Sequence, residues 1–454
     1  MSKITFYGGA LSVTGANYLI ETKISKVVVD VGMIQGCSTC SAANHEPFFY
    51  DVSTVDAVFI THAHIDHLGR LPKFIKEGFN GPVYTSEPTA ALAPIMLEDA
   101  HGIDEEEAER RGKEPMYSSK DLEKTIEYLR PKKYNERFRV TQDIDARLQD
   151  AGHILGSTIF EIWIKNGKSQ ETKLVFSGDL GNASMPLMNP PAKIDNADYI
   201  FVESVYGDRI HENIAQSRQA VTQAIKETVA RRGVLMVPTF ALERTQELLF
   251  ELNNLVENNL VPRVPVFLDS PLAIKATEVY RRFSHYFNKK AYGQILAGDK
   301  LFEFPLLESA LSSEQSKQIN NVPSPKVVIA GSGMSTAGRI LHHEKRYLSD
   351  SKSELLIIGY QANGTLGRQI LDGAREVKIH GMKVPVRAHI KSIGGYSAHA
   401  DQPALVEWVG NMKEVKKVFC IQGEKESAEA LAQRIKKDLK VDAVAPRPFE
   451  EFEF

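Results

Sequence analysis

The amino-acid sequence predicts an α/β protein of two domains, on three observations. Its 454 residues exceed the length at which a single hydrophobic core stops growing. Up to about residue 205, short strand-like runs dominate, separated by loops. From about residue 209 the pattern becomes strand then helix, repeated, as crossover units on a parallel sheet require.

The first region holds KITFYGGA from Lys3, NYLIETK from Asn17, KVVVDVG from Lys26, AVFITHA from Ala57, TIFEIWIK from Thr158, KLVFSGD from Lys173 and YIFVES from Tyr199. TIFEIWIK and KLVFSGD flank the polar stretch NGKSQET and read as a hairpin. From Pro88 to Leu129 the chain is rich in Glu, Lys, Leu and Ala and reads as helical, with the acidic run DEEEAERR on a solvated face. In the second region VLMVP precedes ALERTQELLFELNNLV, where Leu242, Leu249, Leu252 and Val256 recur at helical spacing and mark one buried face. VPVFLD then precedes PLAIKATEVYRRF, and KVVIAG precedes STAGRILHHEKRYL and ELLIIGY. From about residue 380 the texture changes again: PVRAHIKSI, the loop GGYSAHAD, an amphipathic helix, the strand KKVFCIQG and a last helix.

Composition excludes more than it assigns. Apolar content of 43% with 25% charged residues is ordinary for a soluble globular chain, and a formal charge of −3 means that any nucleic-acid surface is local. No apolar run approaches the roughly 20 residues that span a bilayer. The start MSKITFYGGA has no basic region followed by an apolar core, so no membrane partner and a cytoplasmic location are expected. Three cysteines cannot build a secreted disulfide framework, which agrees with a reducing compartment.

The stretch THAHIDHLG places His62, His64, Asp66 and His67 directly after the apolar run VDAVFI. Neutral imidazoles and carboxylates presented from one loop suit zinc. His62 and His64 stand two apart at a strand end, so their side chains can point the same way, whereas Asp66 and His67 follow after the chain turns and can serve a neighbouring position. Further ligands are available in similar settings, His153 in AGHILGS and Asp179 in FSGDLGN, each beside glycines that permit close approach.

THAHIDHLG, with Asp30 in VVVDVG, His153 in GHILGS and Asp179 in SGDLG, resembles the metallo-β-lactamase fold signature. ESVYGDR, DSPLAIKATEVYRRF, AGSGMSTAGRILHH and GGYSAHAD resemble, in order and over essentially the whole chain, the β-CASP nucleases, which include ribonuclease J and the pre-mRNA 3′-end endonuclease. The resemblance implies an αββα metallo-β-lactamase sandwich with two zinc ions at one sheet edge. It further implies an inserted α/β β-CASP cap and a cleft that passes single-stranded RNA. On that basis residues 1–208 and 380–454 form the lactamase domain and 209–379 the cap. His62, His64 and His153 would hold the first zinc, and Asp66 and His67 the second. Asp179 would bridge both, Asp66 would count among the catalytic groups, and Asp30 would orient the ligand loop.

Phosphodiester hydrolysis needs a nucleophile, charge stabilisation on the phosphate and a proton for the leaving oxygen; paired zinc ions supply the first two. His399 in YSAHAD is assigned as the general acid, and Glu203 in VESVYGD matches the family carboxylate that orients it. Where the family has a histidine in a VHGE-like motif, this chain has CIQGEKES with Gln422. A carboxamide oxygen is a weaker zinc ligand than imidazole. The second site is therefore expected to be weak, water-filled or selective for another metal, unless the position is an engineered change.

Weaker candidates are the pair Cys37 and Cys40, the basic run RPKKYNERFR, and AGSGMSTAG, where Ser332, Gly333 and Ser335 precede a helix in a setting that suits an RNA phosphate. His342 and His343 read as packing or surface residues. The leading expectation is thus a zinc-dependent ribonuclease acting on single-stranded RNA, with a homodimer as a possible assembly. Its rivals are a small-molecule hydrolase of the same fold, which leaves the insertion and His399 without work, and a catalytically weak RNA-binding subunit, for which Gln422 is the only support.

Overall fold

The computed structural model describes residues 2–36, 39–167, 170–182, 185–211, 214–359, 361–362, 364–393 and 397–454. Cys37 and the first three residues of GGYSAHAD lie outside them. The chain divides into two compact units, residues 1–210 with 399–454, and residues 211–398.

The first unit is a sandwich of two seven-stranded sheets. One sheet runs in the order Glu451–Glu453, Lys3–Gly8, Asn17–Glu21, Lys26–Val29, Ala57–Phe59, Val83–Ser86 and Leu129–Lys132. The other runs Ala443–Val444, Lys417–Ile421, Tyr199–Glu203, Glu171–Phe176, Thr158–Lys165, Ile144–Asp150 and Arg137–Arg139. Alternate apolar residues of both sheets meet in one core that includes Ile4, Phe6, Val27, Phe59, Phe160, Phe176, Phe201 and Phe419. The Phe176, Phe201 and Phe419 rings stack at centroid distances of 4.2 and 5.0 Å. That stack ties three adjacent strands whose carboxyl ends carry site residues. The helices Gln402–Gly410 and Lys425–Leu439 cover the outer face of the second sheet through Leu405, Trp408, Leu431 and Ile435.

The predicted hairpin is present, with Lys165 opposite Glu171. The segment from Pro88 to Leu129 forms two helices, Glu87–Arg111 and Ser119–Tyr128, rather than one continuous helical stretch. Gly112 ends the first in the left-handed region at φ 63°, and Ser118 with Asp121 opens the second through a capping box.

The second unit carries a six-stranded, all-parallel sheet in the order Leu307–Ser309, Val266–Asp269, Lys326–Ala330, Val234–Pro238, Glu354–Ile357 and His389–Ser392. Its strands read as nearly unbroken apolar runs because both faces are covered. The return to the first unit comes at His399, not at 380 as the resemblance implied. PVRAHIKSI supplies the last strand of the parallel sheet, Glu354 pairing with His389 and Ile357 with Ser392.

Candidate metal centre

The candidate ligands of the first unit gather at strand ends, with Asp66 and His67 on the short helix Ile65–Leu68 that the histidine loop enters. Asp30 follows Lys26–Val29, the histidine loop follows Ala57–Phe59, His153 follows Ile144–Asp150 and Asp179 follows Glu171–Phe176. Glu203 closes Tyr199–Glu203 and Gln422 follows Lys417–Ile421. Within each sheet the neighbouring strands of this group run parallel, so their carboxyl ends share one edge, where open α/β sheets bind ligands. Two glycines let the loops close on one another. A Cβ on Gly181 would stand 1.9 Å from the Gly152 carbonyl oxygen, and one on Gly32 would stand 1.6 Å from that of Asp66.

His62 Nε2 and His64 Nδ1 are 3.0 Å apart, and His64 Nδ1 and His153 Nε2 are 3.3 Å apart. Asp179 Oδ2 completes the group, 3.4 Å from His62 Nε2 and 3.6 Å from His153 Nε2. A tetrahedral zinc with donors near 2.05 Å would set them roughly 3.3 Å apart. Three imidazole nitrogens and a carboxylate oxygen at these separations therefore fit a divalent ion in both chemistry and spacing. Burial holds His62 well below the ordinary imidazole range, with His67 adding to it, so its lone pair is available. Burial opposes ionisation of Asp179, but the His67 and His62 rings outweigh it and keep the carboxyl well below the usual range. Its buried Oδ1 accepts no hydrogen bond among the described residues, as suits an oxygen reserved for a cation.

Oδ1 lies 3.4 Å from His67 Nε2, and Asp66 Oδ2 lies 3.9 Å from the same nitrogen. The structure thus gathers Asp66, His67 and Asp179 as a second, looser group. Burial raises the Asp66 carboxyl. His67 Nδ1 is 2.7 Å from Asp30 Oδ2, and Asp30 also accepts from the Thr61 N–H and hydroxyl at 2.8 and 2.9 Å. The contacts of the Asp30 carboxylate are thus with the histidine loop, at Thr61 and His67. Thr61 Oγ1 also lies 3.1 Å from His62 Nδ1, which makes it a supporting residue that the sequence reading passed over although it stands inside the motif.

His399 Nδ1 is 3.2 Å from both carboxylate oxygens of Glu203 and 3.9 Å from Asp179 Oδ2. Burial raises the Glu203 carboxyl, opposed by the His399 ring. The Leu180 N–H donates to Glu203 Oε1 at 2.7 Å, and Gly181 forms a β-bridge with His399, so the Asp179 loop clamps the pair from both sides.

Gln422 is buried in the second group. Its Nε2 lies 2.7 Å from His67 Nε2 and its Oε1 accepts from the Tyr18 hydroxyl at 3.3 Å. Nothing in the ordinary strand NYLIE marks Tyr18 as part of the site.

Several of the weaker candidates spend their polar groups within the fold. Ser335 does not offer its hydroxyl to a phosphate: it is buried and donates to Glu344. Ser332 Oγ accepts from the N–H groups of Thr336 and Ala337, and Gly333 packs on the Phe240 ring. In RPKKYNERFR, Arg137 pairs with Asp145 and Glu171 at 3.0 and 2.7 Å, and Arg139 donates to the carbonyls of Thr141 and Gln142. His343 is buried against Asp269 at 2.7 Å.

Three family models match the chain: the metallo-β-lactamase superfamily over residues 14–232, the Beta-Casp domain over 245–370, and the Zn-dependent metallo-hydrolase RNA specificity domain over 383–446. Ribonuclease TTHA0252 of Thermus thermophilus is 37% identical over 95% of both chains. An RNase J-like protein of Methanocaldococcus jannaschii is 30% identical over 98% of both, and the transcription termination factor FttA of Methanosarcina mazei is 30% identical over 98% of this chain and 70% of its own. A crystal structure of an Enterococcus faecalis protein of unknown function shares the fold at a TM-score of 0.55, with 12% identity over 99% of each chain. With the clustered imidazoles and carboxylates at the sheet edge, these matches place the chain in the β-CASP family of metallo-β-lactamase-fold ribonucleases, metal-dependent hydrolases that act on RNA.

Proposed function

We propose that the resident metal is zinc, that the substrate is single-stranded RNA, and that His399 is the general acid of its hydrolysis. The observation that carries this reading is the Glu203–His399 pair at 3.2 Å beside the four-donor group. Nitrogen donors favour zinc over magnesium, which demands oxygen ligands. Such a metal, when bound, supplies an activated water and positive charge at the phosphate.

The protein's own residues do the rest. Glu203 holds His399 by Nδ1, and Nε2 is the atom that would deliver a proton to the leaving oxygen as its bond to phosphorus breaks. The carboxylate compensates the imidazolium before the step, and the Leu180 N–H keeps Glu203 in place. Because His62, His153 and Asp179 are buried, a phosphate must be brought down to them. A flexible single strand does so readily, whereas an A-form duplex keeps its backbone in a regular helix.

The test is incubation of end-labelled and internally labelled RNA, single-stranded and duplex, with and without chelator and with zinc added back. Chelator-sensitive cleavage of the single strand restored by zinc supports the reading. Cleavage unchanged by chelation, or equal on duplex, overturns it.

A further inference from the structure

We infer that Gln422 closes the second metal position of this chain by capping His67, so that the protein holds one tightly bound zinc, in the group of His62, His64, His153 and Asp179. This rests on the zinc reading above and concerns how many ions that centre keeps.

The geometry at His67 is specific. Asp30 takes its Nδ1, so Nε2 is the atom that faces Asp66 and Asp179, and Gln422 Nε2 sits 2.7 Å from it. That is hydrogen-bond distance, so the amide fills the direction along which the ring would approach an ion. The side chain is also anchored at its other contacts. The Tyr18 hydroxyl donates to Oε1 at 3.3 Å, Nε2 donates to the Val13 carbonyl at 3.3 Å, and the Gln422 backbone N–H donates to the Gly9 carbonyl at 2.6 Å. An incoming ion must break this buried network before it gains His67.

With Nδ1 held by Asp30, the amide N–H meets the ring at Nε2, the atom that would otherwise face an ion.

The test counts metal. The full chain is stripped with chelator, titrated with zinc, and its bound zinc determined by elemental analysis and by competition with a chromophoric chelator, for wild type, Q422H, Q422A, Y18F and H153A. Wild type should saturate near one zinc, with a second entering only at much higher concentration. Q422H should take two. Q422A adds no ligand but removes the cap, so its second zinc should tighten roughly 10-fold or more, the scale seen when groups around a metal shell are changed. Y18F, which removes the hydroxyl that anchors the amide, should move the same way and covers the case in which Q422A fails to fold. Two equally tight zinc ions in wild type, or Q422A and Y18F binding the second zinc no better than wild type, would overturn the cap. If instead H153A matches wild type at the first zinc, the four-donor reading itself fails.

Discussion

Truncating His399 to Ala separates proton delivery from metal binding. The ring touches Glu203 at 3.2 Å, and its Nδ1 stands 3.9 Å from Asp179 Oδ2, beyond the 3.0–3.6 Å spacing of the four donors, with its ring centroid 4.4 Å from that of His153. Removing it therefore leaves the ligands in place. A positioned general acid contributes roughly 10²–10⁴ in rate, or about 3–5 kcal/mol of the barrier. The cost falls only on substrates whose leaving oxygen needs a proton. Single-turnover cleavage of a single-stranded RNA should drop by that factor. Hydrolysis of bis(p-nitrophenyl) phosphate, which expels a stable phenolate, should change by less than about tenfold. Glu203 loses a charge-assisted bond and keeps the Leu180 N–H, so a stability loss of about 1–3 kcal/mol is also expected. Zinc content should stay at the wild-type value. Equal losses on both substrates, or zinc lost in step with activity, would show that His399 is a ligand or a structural residue and not the acid.

Chelation should abolish RNA cleavage, with recovery on adding zinc but not magnesium, because the first group offers three nitrogens; recovery with magnesium in a cleavage assay would contradict that. Asp30→Asn places an amide where the His67 N–H and the Thr61 N–H and hydroxyl now donate to a carboxylate, and zinc affinity by competition titration should fall about 10–100-fold. Unchanged affinity would remove Asp30 from the support of the site. In the second unit, burial raises the Glu344 carboxyl to about 7 from 4.5. The folded form thus keeps a proton that the unfolded chain releases above about 4.5, so stability falls as pH rises from there to about 7, by about 3 kcal/mol in all. Glu344→Gln should flatten that slope, read from hydrogen-exchange protection of helix Ile340–Tyr347 at pH 5 and pH 8, and an unaltered slope would refute the assignment.

Local chemistry was legible from the chain alone. The six-residue span from His62 to His67 shows its donor types and its placement after a strand without reference to anything distant. The strand-then-helix alternation likewise announces a parallel sheet, because periodicity belongs to neighbours in sequence. The resemblance then nominated partners for that loop. What only the tertiary structure decided depends on strand order. Glu203 and His399 are 196 residues apart and meet because Gly181 bridges to His399 while the neighbouring Leu180 N–H holds Glu203. PVRAHIKSI reads as a change of texture yet belongs to the parallel sheet, since an edge strand pairs on one side only and carries a mixed pattern. Ser335 looks like a phosphate ligand in sequence and is turned inward to Glu344. Gln422 shows most directly where sequence reading ends. Residue type marks it as a poor metal ligand, but whether its amide faces an ion or covers His67 is set by Tyr18, Val13 and Gly9, on a strand and loop more than 400 residues away, brought into contact by the packing of the two sheets against each other.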